Sequence, residues 1–180
     1  MAKNTKSKHK LKGLKLIGLI SRALSVLFAL MAVLMIFAPA IKMTVGQEVV
    51  EYTGWDITFG LTESVVLVGA QQIFVFSFMN LLTYLLASLG ALSAILTFLK
   101  LGNKKVTFVA VVSLLVAGIL FFFAVKFCMP GDNFGTQLGG LLGTNPKQGL
   151  TLAMGAIVSG ICSILSALAI LVKPFLASIK

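Results

Sequence analysis

The sequence predicts an all-α membrane protein, a four-transmembrane-helix bundle with a small β-hairpin in the first extracytoplasmic loop. Three observations carry that expectation. Hydrophobic residues make up 58% of the chain and charged residues 11%, whereas soluble domains have about 45–50% and about 25%. Four apolar stretches, about 16–38, 73–99, 106–127 and 148–172, are each long enough as helix to cross a hydrocarbon core of about 30 Å. The longest polar interruption, residues 41–72, holds four of the five acids (Glu48, Glu51, Asp56, Glu63) and the only tryptophan, Trp55.

Residues 1–15 carry six lysines and the single histidine, His9, and read as a basic cytoplasmic tail. At the membrane surface these lysines would be drawn to anionic lipid headgroups, at on the order of 1 kcal/mol each. The net charge of +10 does not imply nucleic acid, because the cations flank apolar segments instead of covering a folded face. His9 has no histidine or cysteine beside it to complete a metal site. In the first span, 16–38, Arg22 lies near the inner end and can snorkel to the headgroups. Ala38-Pro39-Ala40 has the small-x-small form of a cleavage site. The preceding apolar run is longer than the roughly 7–15 residues of a signal peptide, so a retained span is the expectation.

The outer loop 39–72 opens with a hairpin pattern. A two-residue turn at Gly46-Gln47 would set Val45 opposite Glu48, Met43 opposite Val50, Lys42 opposite Glu51 and Ile41 opposite Tyr52. One face then collects Ile41, Met43, Val45, Val50 and Tyr52, and the other holds Thr44, Val49 and the Lys42–Glu51 charge pair. A bare hairpin is marginal, so it must lie against more protein or the membrane surface. Beyond it, Tyr52, Trp55 and Phe59 bring aromatic rings together between glycines. Trp55 and Phe59 suit the headgroup level, and the three are also the candidate partner-binding residues.

In the second stretch Asn80 would sit about a third of the way in and face a neighbouring helix, because an unpaired amide in hydrocarbon is costly. Residues 100–105 form a short basic turn to the third stretch. Lys126, one turn from the outer end, can snorkel. The second outer loop, 128–147, is glycine-rich but lacks the Lys-Ser/Thr pair of a phosphate loop, and reads as flexible or re-entrant-like. In the fourth stretch Gly155, Ser159, Ser163 and Ala167 recur every four residues, with Ala156 and Gly160 alongside, a spacing that lets another helix approach closely. Lys173-Pro174 should end that helix, leaving 173–180 as a cytoplasmic end. Cys128 and Cys162 are separated in depth by roughly 21 Å, which excludes a disulfide.

Charge sets the orientation. The tail through Arg22, the 100–105 turn and the C-terminal end hold twelve cations, against three elsewhere, and all five acids lie on the cation-poor side. By the positive-inside rule both termini are cytoplasmic, the Trp55 loop is outside, and the chain is a multi-pass protein of a plasma membrane, of bacterial build.

Four spans, cytoplasmic ends, a larger first outer loop with β character and the Gly54-Trp55 segment resemble the claudin-type tetraspan layout over most of the chain. Claudins add a second loop tryptophan in a Gly-Leu-Trp sequence and a cysteine pair in that loop. Neither is present here, so the resemblance implies a layout and transfers no site residue. The lysine-rich, short-looped build is similar to that of small bacterial membrane proteins without an assigned activity.

The four stretches contain no Asp, Glu or His. Intramembrane hydrolysis and proton-coupled transport rely on such groups at depth, so neither enzyme activity, catalytic residue, cofactor nor metal is expected. By elimination the chain reads as a binding, scaffolding or accessory subunit using its first outer loop, with a membrane or extracytoplasmic protein partner or a second copy. The alternative is a small oligomeric channel or transporter component. For the orientation, Glu48→Cys and Asp132→Cys, each in a background lacking Cys128 and Cys162, are expected to react with an impermeant maleimide in intact cells. Labelling only after lysis would invert it.

Overall fold

The computed structural model describes residues 3–45, 48–65, 69–131 and 149–178. Among these described residues four helices are long and apolar enough to cross a membrane, over Leu16–Phe37, Phe78–Phe98, Lys104–Phe121 and Met154–Val172. They belong to α1 (Lys3–Leu34, continued by a 3₁₀ turn Met35–Phe37), α3 (Phe78–Phe98), α4 (Lys104–Phe121) and α6 (Met154–Ser178). Each packs on two others, α1 on α3 and α6, α4 on α3 and α6, which closes a ring. Smaller elements form a cap at one end: β1 (Pro39–Val45), β2 (Glu48–Thr53), α2 (Gly54–Phe59), β3 (Leu61–Val65), β4 (Gly69–Val75), α5 (Ala124–Phe127), β5 (Met129–Pro130) and β6 (Leu150–Leu152).

Water is absent from a bilayer interior, so a buried hydroxyl gains by bonding to protein. Between α1 and α6 such hydroxyls form a ladder. Ser21 donates to the Ala169 carbonyl, Ser166 to the Ser25 carbonyl at 2.7 Å, and Ser159 to the Ala32 carbonyl at 3.1 Å. Because the Ser166 proton is engaged, the 3.0 Å contact between the two hydroxyls has Ser25 donating. Partner numbers fall as α1 numbers rise, so the two helices run antiparallel. Gly18, Ala29 and Ala32 complete the buried small face of α1.

The α4–α6 crossing is closer still. A Cβ on Gly118 would lie 3.1 Å from the Gly160 carbonyl oxygen and 2.7 Å from Ile164, and one on Gly160 would lie 3.1 Å from the Gly118 carbonyl oxygen. Two glycines therefore let the backbones meet directly, with space for no side chain between them.

The cap holds two three-stranded antiparallel sheets, ordered β2-β1-β6 and β3-β4-β5. The β1–β2 register is the one the sequence predicts, with Ile41 opposite Tyr52, Lys42 opposite Glu51, Met43 opposite Val50, Thr44 opposite Val49 and Val45 opposite Glu48. The turn at residues 46–47 lies outside the described residues. Ile41, Met43 and Tyr52 face inward, while Lys42, Thr44, Val49 and Glu51 are exposed; Val50, expected on the inward face, is exposed as well, because it lies on the edge strand. β6 adds to β1, pairing Met43 with Leu150 and Ile41 with Leu152. Between the sheets a core forms around Phe74, with Ile41, Met43, Tyr52, Ile57, Cys128 and Leu150.

Several boundaries differ from the sequence reading. Leu61–Val65 and Gly69–Val75 pair as a second antiparallel couple, β3–β4, so the second helix begins at Phe78 and not near 73. An apolar run such as 73–79 is compatible with strand or helix on hydropathy alone. Ser77 decides the boundary, its hydroxyl accepting from the Asn80 N–H at 3.3 Å and donating to the Phe127 carbonyl at 2.7 Å. The third helix stops at Phe121 and resumes as α5, with the Phe122 and Phe123 amides bonding three residues back. The fourth begins after β6 and continues through Pro174 to Ser178, because proline removes one helical hydrogen bond without necessarily ending a helix. Residues from Lys3 onward, read as a tail, are the start of α1. Most of the 128–147 loop lies outside the described residues. Neither Cys128 nor Cys162 is in a disulfide, as their predicted depths require.

The glycine crossing yields a test. Gly118→Leu is expected to lower the thermal midpoint in mild detergent, at a cost of about 1–3 kcal/mol for overpacking. Ile119→Leu, on the exposed side of α4, should leave it unchanged. Equal midpoints for Gly118→Leu and the parent would show that the two backbones do not need to meet.

Candidate functional site

Within the cap, α2 is only six residues long and is fixed at both ends. Thr53 and Asp56 form a capping box at its start. The Thr53 hydroxyl accepts from the Asp56 N–H at 3.2 Å, and the Asp56 carboxylate accepts from the Thr53 N–H at 2.9 Å and from its hydroxyl at 2.7 Å. Thr58, fully buried, donates to the Gly54 carbonyl at 2.6 Å. Gly60 ends the helix at φ 95°, a left-handed conformation that suits glycine.

The chain leading into α3 fastens α2 from below. The Ser77 N–H donates to the Thr58 carbonyl at 2.9 Å, and the Asn80 side-chain amide to the Ile57 carbonyl at 3.4 Å. The Gly54 N–H donates to the Ala38 carbonyl at 3.2 Å. Directly beneath Gly54 sits the Tyr84 hydroxyl, 2.1 Å from where a Cβ would be. Only glycine leaves space for the ring there.

With Ile57 and Thr58 turned inward, the other face of α2 carries Trp55 and Phe59, 47% and 42% exposed. They are four residues apart and therefore neighbours on one helical face, with ring centroids 4.2 Å apart. Phe37, 66% exposed at the end of the first span, stacks on Trp55 at 6.0 Å and 18°. The result is an exposed three-ring surface on a braced support. It offers apolar and π contact and no proton-transfer chemistry.

Tyr52 does not join this surface. It is 6% exposed and packs edge-on against Phe74, with centroids 4.7 Å apart. Strand alternation explains the correction, because Tyr52 shares the inward face of Ile41 and Met43. Phe37 takes its place, although the sequence assigned it no role.

The helix-packing candidates divide by location. Asn80 lies in the first turn of α3, not a third of the way in, and ties that helix to α2. Gly155 lies against the chain entering β1, where a Cβ would stand 2.5 Å from the Pro39 carbonyl oxygen. Ser159 bonds across to α1. Ser163 is buried beside Gly118 of α4, and its hydroxyl has no hydrogen-bond partner among the described residues. Ala167 packs with Ala29, Ala94, Ala110 and Leu114. Sequence reasoning missed Gly118, Ser25 and the α2 helix. The Thr53-x-x-Asp56 spacing is a capping-box signal that could have revealed α2.

Among the described residues no group of three His, Cys, Asp or Glu side chains could hold a metal ion. The brace under α2 can be tested. Gly54→Ala is expected to cost about 1–3 kcal/mol through overlap with Tyr84, and adding Tyr84→Phe should recover part of that loss. A Gly54→Ala variant as stable as the parent would show that α2 is not held against α3. Comparison with protein-family models, with curated proteins and with solved structures finds no match to this chain.

Proposed function

We propose that this chain is a non-enzymatic binding, scaffolding or accessory subunit of a membrane, whose cap is extracytoplasmic and supplies the contact surface. The observation that carries this reading is the cap itself. Joining two spans takes a few residues, whereas here two sheets, two short helices and a shared core are built between the helix ends. Its solvated face gathers Lys42, Thr44, Val49, Glu51 and Thr151 on three adjacent strands. Charged and hydroxyl groups surrounding an apolar side chain suit a polar-rimmed protein contact.

The α1–α6 seam supports this reading over a pore along it. Ser21, Ser25, Ser159 and Ser166 bond across the α1–α6 interface, and Thr83 and Thr97 bond to their own helix carbonyls at 2.9 Å. A water-filled path needs polar groups that line it and stay free to meet water.

The test is co-purification from native membranes in mild detergent. Proteins retained by the parent are expected to be lost from Val49→Arg, while its thermal midpoint stays within about 0.5 kcal/mol equivalent, as for exposed sites in general. Retention of the same proteins would remove the sheet face from the account. Ion conductance by the purified chain in liposomes would favour the channel reading.

A further inference from the structure

We propose that α2 is an interfacial helix: its Trp55–Phe59 face, continued by Phe37, is seated in the lipid headgroup region and holds the cap flush with the bilayer surface. The inference is independent of any protein partner. Its first support is level. Phe37 is the last residue of the first membrane-crossing stretch, and Trp55 stacks on it while Phe59 packs on Trp55. All three rings therefore lie where the hydrocarbon ends, the depth at which aromatic side chains find apolar and polar surroundings together.

The second support is distribution. A protein docking on one flank would need large apolar side chains on that flank alone. Instead each helix of the ring carries one at its cap end: Phe37 on α1, Phe78 on α3, Phe123 just after α4 and Met154 on α6, all exposed. A surface that surrounds the bundle is what a lipid leaflet covers. The Lys126 ammonium lies 5.1 Å over the Phe123 ring, a cation at the level where it can meet headgroups. The third support is the amphipathic division of α2, with Ile57 and Thr58 buried in protein and the two aromatic rings outside. The brace from Asn80, Ser77 and Tyr84 keeps that division fixed, so the rings set the height and tilt of the cap.

Trp55 is the only tryptophan, so the unmodified chain reports on its own seat. The full chain is reconstituted in phosphatidylcholine vesicles whose acyl chains carry bromine near the headgroup or near the chain end, and iodide is added on both sides of the membrane in unbrominated vesicles. Shallow bromine is expected to remove most of the Trp55 emission, deep bromine less, and iodide little. Strong iodide quenching with none from bromolipid would place the rings in water and overturn the proposal. Quenching greatest with deep bromine would overturn it as well, because α2 would then lie within the hydrocarbon. Protection from all three would mean that protein, such as a second copy, covers the rings, which also overturns it.

Discussion

A two-stranded hairpin is marginal in water, and that constraint governs the end of the molecule where function is proposed. Neither strand pair stands alone. β6 adds a third strand to β1 and β5 adds one to β4, so the segment joining α4 to α6 completes both sheets made by the segment joining α1 to α3. The Ala153 N–H donates to the Ala40 carbonyl and the Gly131 N–H to the Ile73 carbonyl, each at 2.9 Å. The cap ends of the four helices are thereby tied to two sheets that share one apolar core, in which Phe74 is fully buried.

The bundle solves a different problem. Lipid tails are as apolar as leucine, so helices gain little by hiding large apolar groups from them, and close packing with hydrogen bonds must supply the attraction. Large side chains such as Leu24, Leu27, Leu85 and Leu92 are accordingly exposed, and alanine, serine and glycine fill the interior. Each interhelical hydrogen bond contributes on average only about 0.6 kcal/mol. The α1–α6 ladder therefore acts through several weak bonds whose antiparallel register also fixes one sliding position.

What could be read from sequence depended on whether local pattern or distant contact decided the structure. The β1–β2 register was fully legible, because a short turn, strict alternation and the Lys42–Glu51 pair agree on one pairing. The same pattern already turned Tyr52 inward, so its assignment to a binding surface conflicted with the hairpin that contained it. The β3–β4 pair was hidden because the apolar residues of β4 run directly into those of α3, and the boundary rests on Ser77 bonding to Phe127 fifty positions away. Phe37 gained its place beside Trp55 only through the fold. Gly118 looked like any glycine in an apolar helix until Gly160 was found opposite.

The claim on which this account most depends is that both outer segments fold as one cap. Hydrogen–deuterium exchange on the parent and on Thr151→Pro tests it directly, because proline in β6 removes a strand amide and disrupts pairing with β1. The account predicts that amides of β2, which pairs with β1 and not with β6, lose protection together with those of β1 while the four spans keep theirs. Unchanged protection of β1 and β2 in the variant would contradict it.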